Sequence, residues 1–191
     1  MAKLYFYYSA MNAGKTTTLL QADFNYRERG LTTLLYTAAV DDRYETGKIT
    51  SRIGLAAKAY MFEDGTNFYN GFIQKHAQNS IDCILIDEAQ FLTAAHVDQL
   101  AQICDKHAVP VLCYGLRTDF KGALFTGSER LLAIADELKE LKTICKCGSK
   151  ATMNLRVDAH GKGLKEGAQT EIGGNESYVS MCRKHFVEAL S

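Results

Sequence analysis

Ser9-Ala-Met-Asn-Ala-Gly14-Lys15-Thr16 sets a lysine and a hydroxyl directly behind a glycine, between an apolar run and an amphipathic stretch. In a strand–turn–helix setting that order is a P-loop. The backbone N–H groups of Ala10, Met11, Asn12, Ala13 and Gly14 would face an anion at a helix N-terminus. Lys15 would reach the β- and γ-phosphates of ATP, and the Thr16 hydroxyl would bind Mg²⁺. Ser9 stands where the pattern usually has its first glycine.

A second acidic element matches this one. Ile81-Asp-Cys-Ile-Leu-Ile-Asp87-Glu88 is an apolar run ending in two carboxylates, the pattern of a Walker B strand. Asp87 is expected to hold Mg²⁺ through water. Side chains alternate along a strand, so Glu88 should point away from Asp87 and be free to act on an acceptor. Phosphoryl transfer to a hydroxyl needs a group to take its proton, and Glu88 is the base this spacing favours. Asp41, Asp42 and Asp119 lie in predicted loops and are alternatives.

Cys145-Lys-Cys147 and Cys182-Arg-Lys-His185 supply three thiolates and an imidazole in two close pairs. Four such ligands make a closed structural zinc set, which leaves no open position for catalytic water. Cys83, Cys104 and Cys113 lie singly among apolar residues and read as small buried hydrophobes.

The surrounding pattern supplies elements to position these groups. Strands are expected at Leu4 to Tyr8, Leu34 to Thr37, Ile81 to Asp87 and Val109 to Tyr114. One helix is expected from Gly14 to Arg29, with Leu19, Leu20 and Phe24 on its apolar face and Gly30 ending it. A second should span Thr93 to His107, ahead of the sole proline, Pro110, at a strand start. Alternating strands and helices predict an α/β domain with a P-loop NTPase-like parallel sheet flanked by helices, over residues 1–143. A small zinc-ribbon-like subdomain should follow over 144–191, containing a glycine-rich polar segment from Ala159 to Asn175.

The chain has 191 residues, 47% hydrophobic and 23% charged, which fits a soluble globular protein. Lysine plus arginine equals aspartate plus glutamate at 22 each, so the basic excess that binds nucleic-acid polymers is missing. The N-terminus has no leader pattern and no stretch approaches the ~20 apolar residues of a bilayer span, so a cytoplasmic location without a membrane partner is expected.

Taken in order, these motifs resemble the zinc-containing thymidine kinases of bacteria and animal cytosol. The matching pieces are Ser9 to Thr16, Asp41-Asp-Arg-Tyr44, Asp87-Glu-Ala-Gln-Phe91, Tyr114-Gly-Leu-Arg-Thr-Asp-Phe120 and Ile172-Gly-Gly-Asn-Glu-Ser-Tyr178. The resemblance implies ATP-dependent phosphorylation of the 5′-hydroxyl of thymidine, with Glu88 as base and Thr16 and Asp87 at the magnesium positions. It groups Gln90 with the donor-binding residues. Asp41, Arg43, Phe91, Phe120, Ile172, Gly173, Gly174 and Tyr178 fall on the nucleoside side, and Met11 and Leu116 near the thymine methyl group. The resemblance also implies that the segment between the two zinc pairs is a lid over the nucleoside, that the protein is a homotetramer and that thymidine triphosphate inhibits it. Asp87-Glu-Ala-Gln90 is shared with helicase motors as well, but the chain is too short for two motor domains.

Overall fold

The structure, a computed structural model, describes residues 1–40, 47–169 and 177–191. Its centre is a parallel sheet of β1 (Leu4–Ser9), β2 (Thr33–Ala38), β5 (Tyr60–Phe62), β6 (Cys83–Ile86), β7 (Val111–Leu116) and β8 (Glu137–Glu140), in the order β5-β2-β6-β7-β1-β8. All five pairings are parallel. The apolar runs of β2, β6 and β7 are continuous rather than alternating because helices cover both faces of the sheet.

Leu85 and Leu112 meet Leu19 and Leu20 of α1 (Lys15–Glu28) on one face. On the other, Ile84, Ile86 and Val111 meet Phe72 of α2 (Phe68–Gln78), Leu100 of α3 (Ala94–His107) and Leu131 of α4 (Thr126–Ile134). Cys83, Cys104 and Cys113 lie in these two cores and are buried, as their apolar surroundings predict.

Gly30 ends α1 with φ +73°, a conformation glycine enters without steric cost. The apolar face of α1 differs from expectation at one residue, since Phe24 is 58% exposed while its neighbour Asp23 is buried. Asp23 is tied to Arg27 at 2.8 Å and to the Thr33 hydroxyl, so the helix turns a paired carboxylate inward and its ring outward. A buried carboxylate is tolerable only with such partners.

Three short antiparallel pairs complete the described residues, one before β5 and two after β8. β3 (Lys48–Thr50) pairs with β4 (Ala56–Lys58) beside the sheet. β9 (Thr143–Ile144) pairs with β10 (Lys150–Ala151), and β11 (Met153–Arg156) pairs with β12 (Tyr178–Met181) ahead of α5 (Arg183–Leu190). Cys145, Ala151, Leu155, Met181 and Phe186 form a third, small apolar cluster there. No helix among the described residues is long and apolar enough to cross a membrane.

Candidate active site and metal centre

In a parallel sheet, ligands bind beyond the carboxyl ends of the strands, and the motif residues gather at that edge. The chain leaves β1 at Ser9, turns through Asn12 at φ +63° and Gly14 at φ +77°, and enters α1 at Lys15. Nothing crowds a Cβ at Gly14, so its backbone conformation, not space, explains the glycine. The first turn of α1 has no side-chain cap and no acidic residue, which leaves its N–H groups for a ligand. The Lys15 ammonium donates to the Ser9 hydroxyl at 3.0 Å and to the Ala10 carbonyl at 3.3 Å. Ser9, in place of glycine, therefore gives the lysine a resting partner.

β6 stops at Ile86, one residue earlier than its sequence run suggests. Asp87 follows it and accepts a hydrogen bond from the Thr16 hydroxyl at 3.1 Å, which joins the two motifs. Burial, and then the Glu88 carboxylate, push the Asp87 carboxyl well above the usual carboxylate range. The Glu88 N–H, the Thr16 hydroxyl and the Lys15 ammonium pull the other way. A cation beside Asp87 would offset that burial cost.

Glu88 is aimed differently from the strand alternation expected of it. It sits at φ +53° and opens a 3₁₀ turn, Ala89–Phe91. A left-handed glutamate costs about 1–3 kcal/mol, so its surroundings must hold it there. The Gln90 amide donates to the Glu88 carboxylate at 2.5 Å, and the Gln90 Oε1 accepts from the Leu116 N–H at 3.0 Å. Gln90, 2% exposed, is committed to these partners and does not line the cavity described below.

Two glycines let this turn sit against its neighbours. A Cβ at Gly115 would lie 2.9 Å from the Gln90 nitrogen, and one at Gly127 would lie 2.5 Å from the Ala89 carbonyl and 2.7 Å from that of Leu92. These are backbone atoms and cannot swing aside. Gly127→Ala is therefore expected to cost roughly 1–3 kcal/mol, the usual range for overpacking. An unchanged denaturation midpoint would show that the turn can shift freely.

A cavity of about 250 Å³ spans this edge. Met11, Asn12, Ala13, Gly14, Lys15, Thr16, Asp87, Glu88 and Leu116 line it, so most donor-side and base candidates come together. The lining also includes Lys48 to Ile53, with Lys48 and Arg52 two cations that no motif in the sequence singles out. Ser9, Ala10, Phe91, Phe120 and Tyr178 are outside the lining. Asp41, Arg43, Ile172, Gly173 and Gly174 fall outside the described residues.

Phe120 and Tyr178 are linked by a buried arginine. The Arg156 guanidinium stands 3.8 Å from the Phe120 ring centroid and donates to the Tyr178 hydroxyl at 2.9 and 2.7 Å. Phe91 packs edge-on against Phe125, with centroids 5.9 Å apart. Asp119 accepts from the N–H groups of Lys121 and Ala123 and from the Gln169 amide at 3.1 Å. It thus closes a loop and is absent from the cavity.

The ligand atoms of Cys145, Cys147, Cys182 and His185 all lie within 4.8 Å of one another, a group that could hold a metal ion. Cys145 and Cys147 sit on a tight turn closed by Gly148 at φ +82°, whose N–H donates to the Cys145 carbonyl. Cys182 and His185 lie across the first turn of α5, where a spacing of three puts them on one face. The Sγ atoms of Cys147 and Cys182 are 3.9 Å apart, and the His185 Nδ1 is 3.3 Å from Cys145 and 3.5 Å from Cys182. Tetrahedral zinc with ordinary bond lengths requires edges of about 3.8 Å between sulfurs and about 3.5 Å between sulfur and nitrogen. The donor set fits. Backbone N–H groups of Cys147 and then Cys182, followed by His185, lower the Cys145 thiol to about 6, favouring the thiolate a metal needs. The Glu188 carboxylate lies 3.9 Å from the other His185 nitrogen, the usual place for an orienting partner.

Fold and site together define an α/β protein with a P-loop-like turn between β1 and α1 and an appended Cys₃His cluster. The family model described as Thymidine kinase matches residues 2–186. Thymidine kinase from Zymomonas mobilis is 60% identical over 191 residues, covering 100% of this chain and 99% of that protein. Those of Novosphingobium aromaticivorans and Vibrio parahaemolyticus are 60% and 59% identical over 190 residues, with the same coverage. The chain belongs to the thymidine kinase family and is a transferase. Among solved structures, the Pif1 helicase from Candida albicans aligns with a TM-score of 0.44 at 13% identity over 75% of this chain and 36% of that one.

Proposed function

We propose that this protein transfers the γ-phosphoryl group of ATP to the 5′-hydroxyl of thymidine, giving thymidine monophosphate and ADP. The observation that carries this reading is the joining of the two motifs, with the Thr16 hydroxyl 3.1 Å from Asp87 and Glu88 lining the same cavity. Family membership supplies the acceptor.

On this reading the α1 N-terminus and Lys15 bind the donor phosphates. Thr16 and Asp87 would hold Mg²⁺, which when bound neutralises charge on those phosphates. Glu88 accepts the proton of the attacking hydroxyl, and its hydrogen bond from Gln90 fixes the direction of the carboxylate. Residues 1–143 form the ATP-binding domain and 144–191 the zinc-binding unit with its lid. Salvage of pyrimidine deoxynucleosides in the cytoplasm, a homotetramer and inhibition by thymidine triphosphate complete the proposal. It is tested by following ADP release with thymidine, deoxyuridine, adenosine, single-stranded DNA and no acceptor. Release stimulated by thymidine supports the reading, and release stimulated only by DNA would favour a motor.

Two further outcomes belong to this reading. One tightly held zinc per chain is expected, from the ligand set Cys145, Cys147, Cys182 and His185, and Cys182→Ser should lose it and destabilise the C-terminal unit. Elemental analysis that finds no zinc in fresh protein would end the idea. For the lid, Lys162 and Lys165 are both exposed, and trypsin should cut there more slowly once thymidine is bound, while adenosine gives no protection. Equal cutting with and without thymidine would remove the segment from the nucleoside site.

A further inference from the structure

The strained turn of the P-loop is gripped by the C-terminal unit. Asn12 is a non-glycine residue in the left-handed region, a conformation its surroundings must hold. On its N-terminal side, the Met11 N–H donates to Asn154 Oδ1 at 2.7 Å, and the Met11 carbonyl accepts from the Ser180 hydroxyl at 2.7 Å. Asn154 and Ser180 lie opposite each other in the β11–β12 register, so one cross-strand pair pinches both polar groups of one residue. Asn154 is 2% exposed, and its amide nitrogen donates to the Thr118 carbonyl at 3.2 Å, which fixes the orientation of the amide. The Thr143 hydroxyl reaches the Asn12 carbonyl at 3.4 Å from the start of β9. Ser180 is two residues from Cys182, so the hairpin that makes this grip also carries a metal-ligand candidate.

We propose that the β11–β12 hairpin clamps the donor loop, with Asn154 and Ser180 as positioning residues that hold Met11 and thereby the left-handed turn at Asn12. The N–H groups beyond that turn are those the donor phosphates would meet. The C-terminal unit then does more than cover the nucleoside, because it completes the phosphate site from outside the parallel sheet. The clamp rests on the phosphate-binding reading only for the identity of the ligand.

Ser180 is half-buried on a two-stranded hairpin, so Ser180→Ala should fold. Loss of a single hydrogen bond worth about 1 kcal/mol is expected to speed amide exchange in the 9–16 loop by roughly five- to tenfold and to weaken ATP binding by a similar factor. Ser180→Thr, which keeps the hydroxyl, should restore both readouts. Because both residues act through Met11, the double variant Asn154→Ala/Ser180→Ala should weaken ATP binding by less than the product of the single effects. Unchanged loop exchange in Ser180→Ala would overturn the clamp, as would failure of Ser180→Thr to rescue. Loop exchange decides the matter whether or not the wild-type protein binds ATP. A wild-type protein that ignores ATP would instead sink the assignment of the donor.

Discussion

Glu88→Gln is expected to lower turnover by roughly 10² to 10⁴, the range assigned to general-base catalysis, while ATP affinity stays near wild type. The substitution is close to isosteric, and its amide oxygen can still accept from Gln90, so the turn that carries it should survive. What it loses is the capacity to take a proton. The competing acid Asp119 is committed to closing its own loop and does not reach the cavity, whereas Asp41 and Asp42 fall outside the described residues. Near-normal turnover in Glu88→Gln would move the base elsewhere.

Lys15→Ala is expected to cut turnover by roughly 10² to 10³, as removal of a charge-stabilising donor does elsewhere, and to do so equally for every acceptor. Its ammonium rests on Ser9 and Ala10, at the donor end of the cavity, and Asp87 senses it as a nearby positive charge. The ranking of thymidine over deoxyuridine should therefore be preserved. A variant that lost thymidine but kept another acceptor would show that Lys15 serves the nucleoside instead.

How much of this was legible in the sequence depended on how local the signal was. β1, β2, β6 and β7 read as apolar runs because a parallel sheet is buried on both faces, and the P-loop read from a contiguous order of residue types. The inward turn of Asp23 was not legible, since its partner Thr33 lies on another element and apolar spacing favours Phe24. Glu88 was identified by position, but its direction comes from a left-handed backbone and from contacts with β7 and α4, neither of which strand alternation contains. Gly127 and Gly115 stand in no motif that explains them. Their need appears only when the 3₁₀ turn is packed against them. Asn154 and Ser180 carry no signal beyond a polar residue in a four-residue strand, because their partner is some 140 residues or more away.

The phosphoryl group itself gives the most direct test of the central claim. ATP labelled at its γ-phosphorus, incubated with the protein, Mg²⁺ and thymidine, should deliver the label to thymidine 5′-monophosphate, with one ADP formed for each product molecule. Without thymidine, label released as inorganic phosphate should be slight. Label appearing as inorganic phosphate at a rate that thymidine does not alter, with none in the nucleotide, would contradict the account.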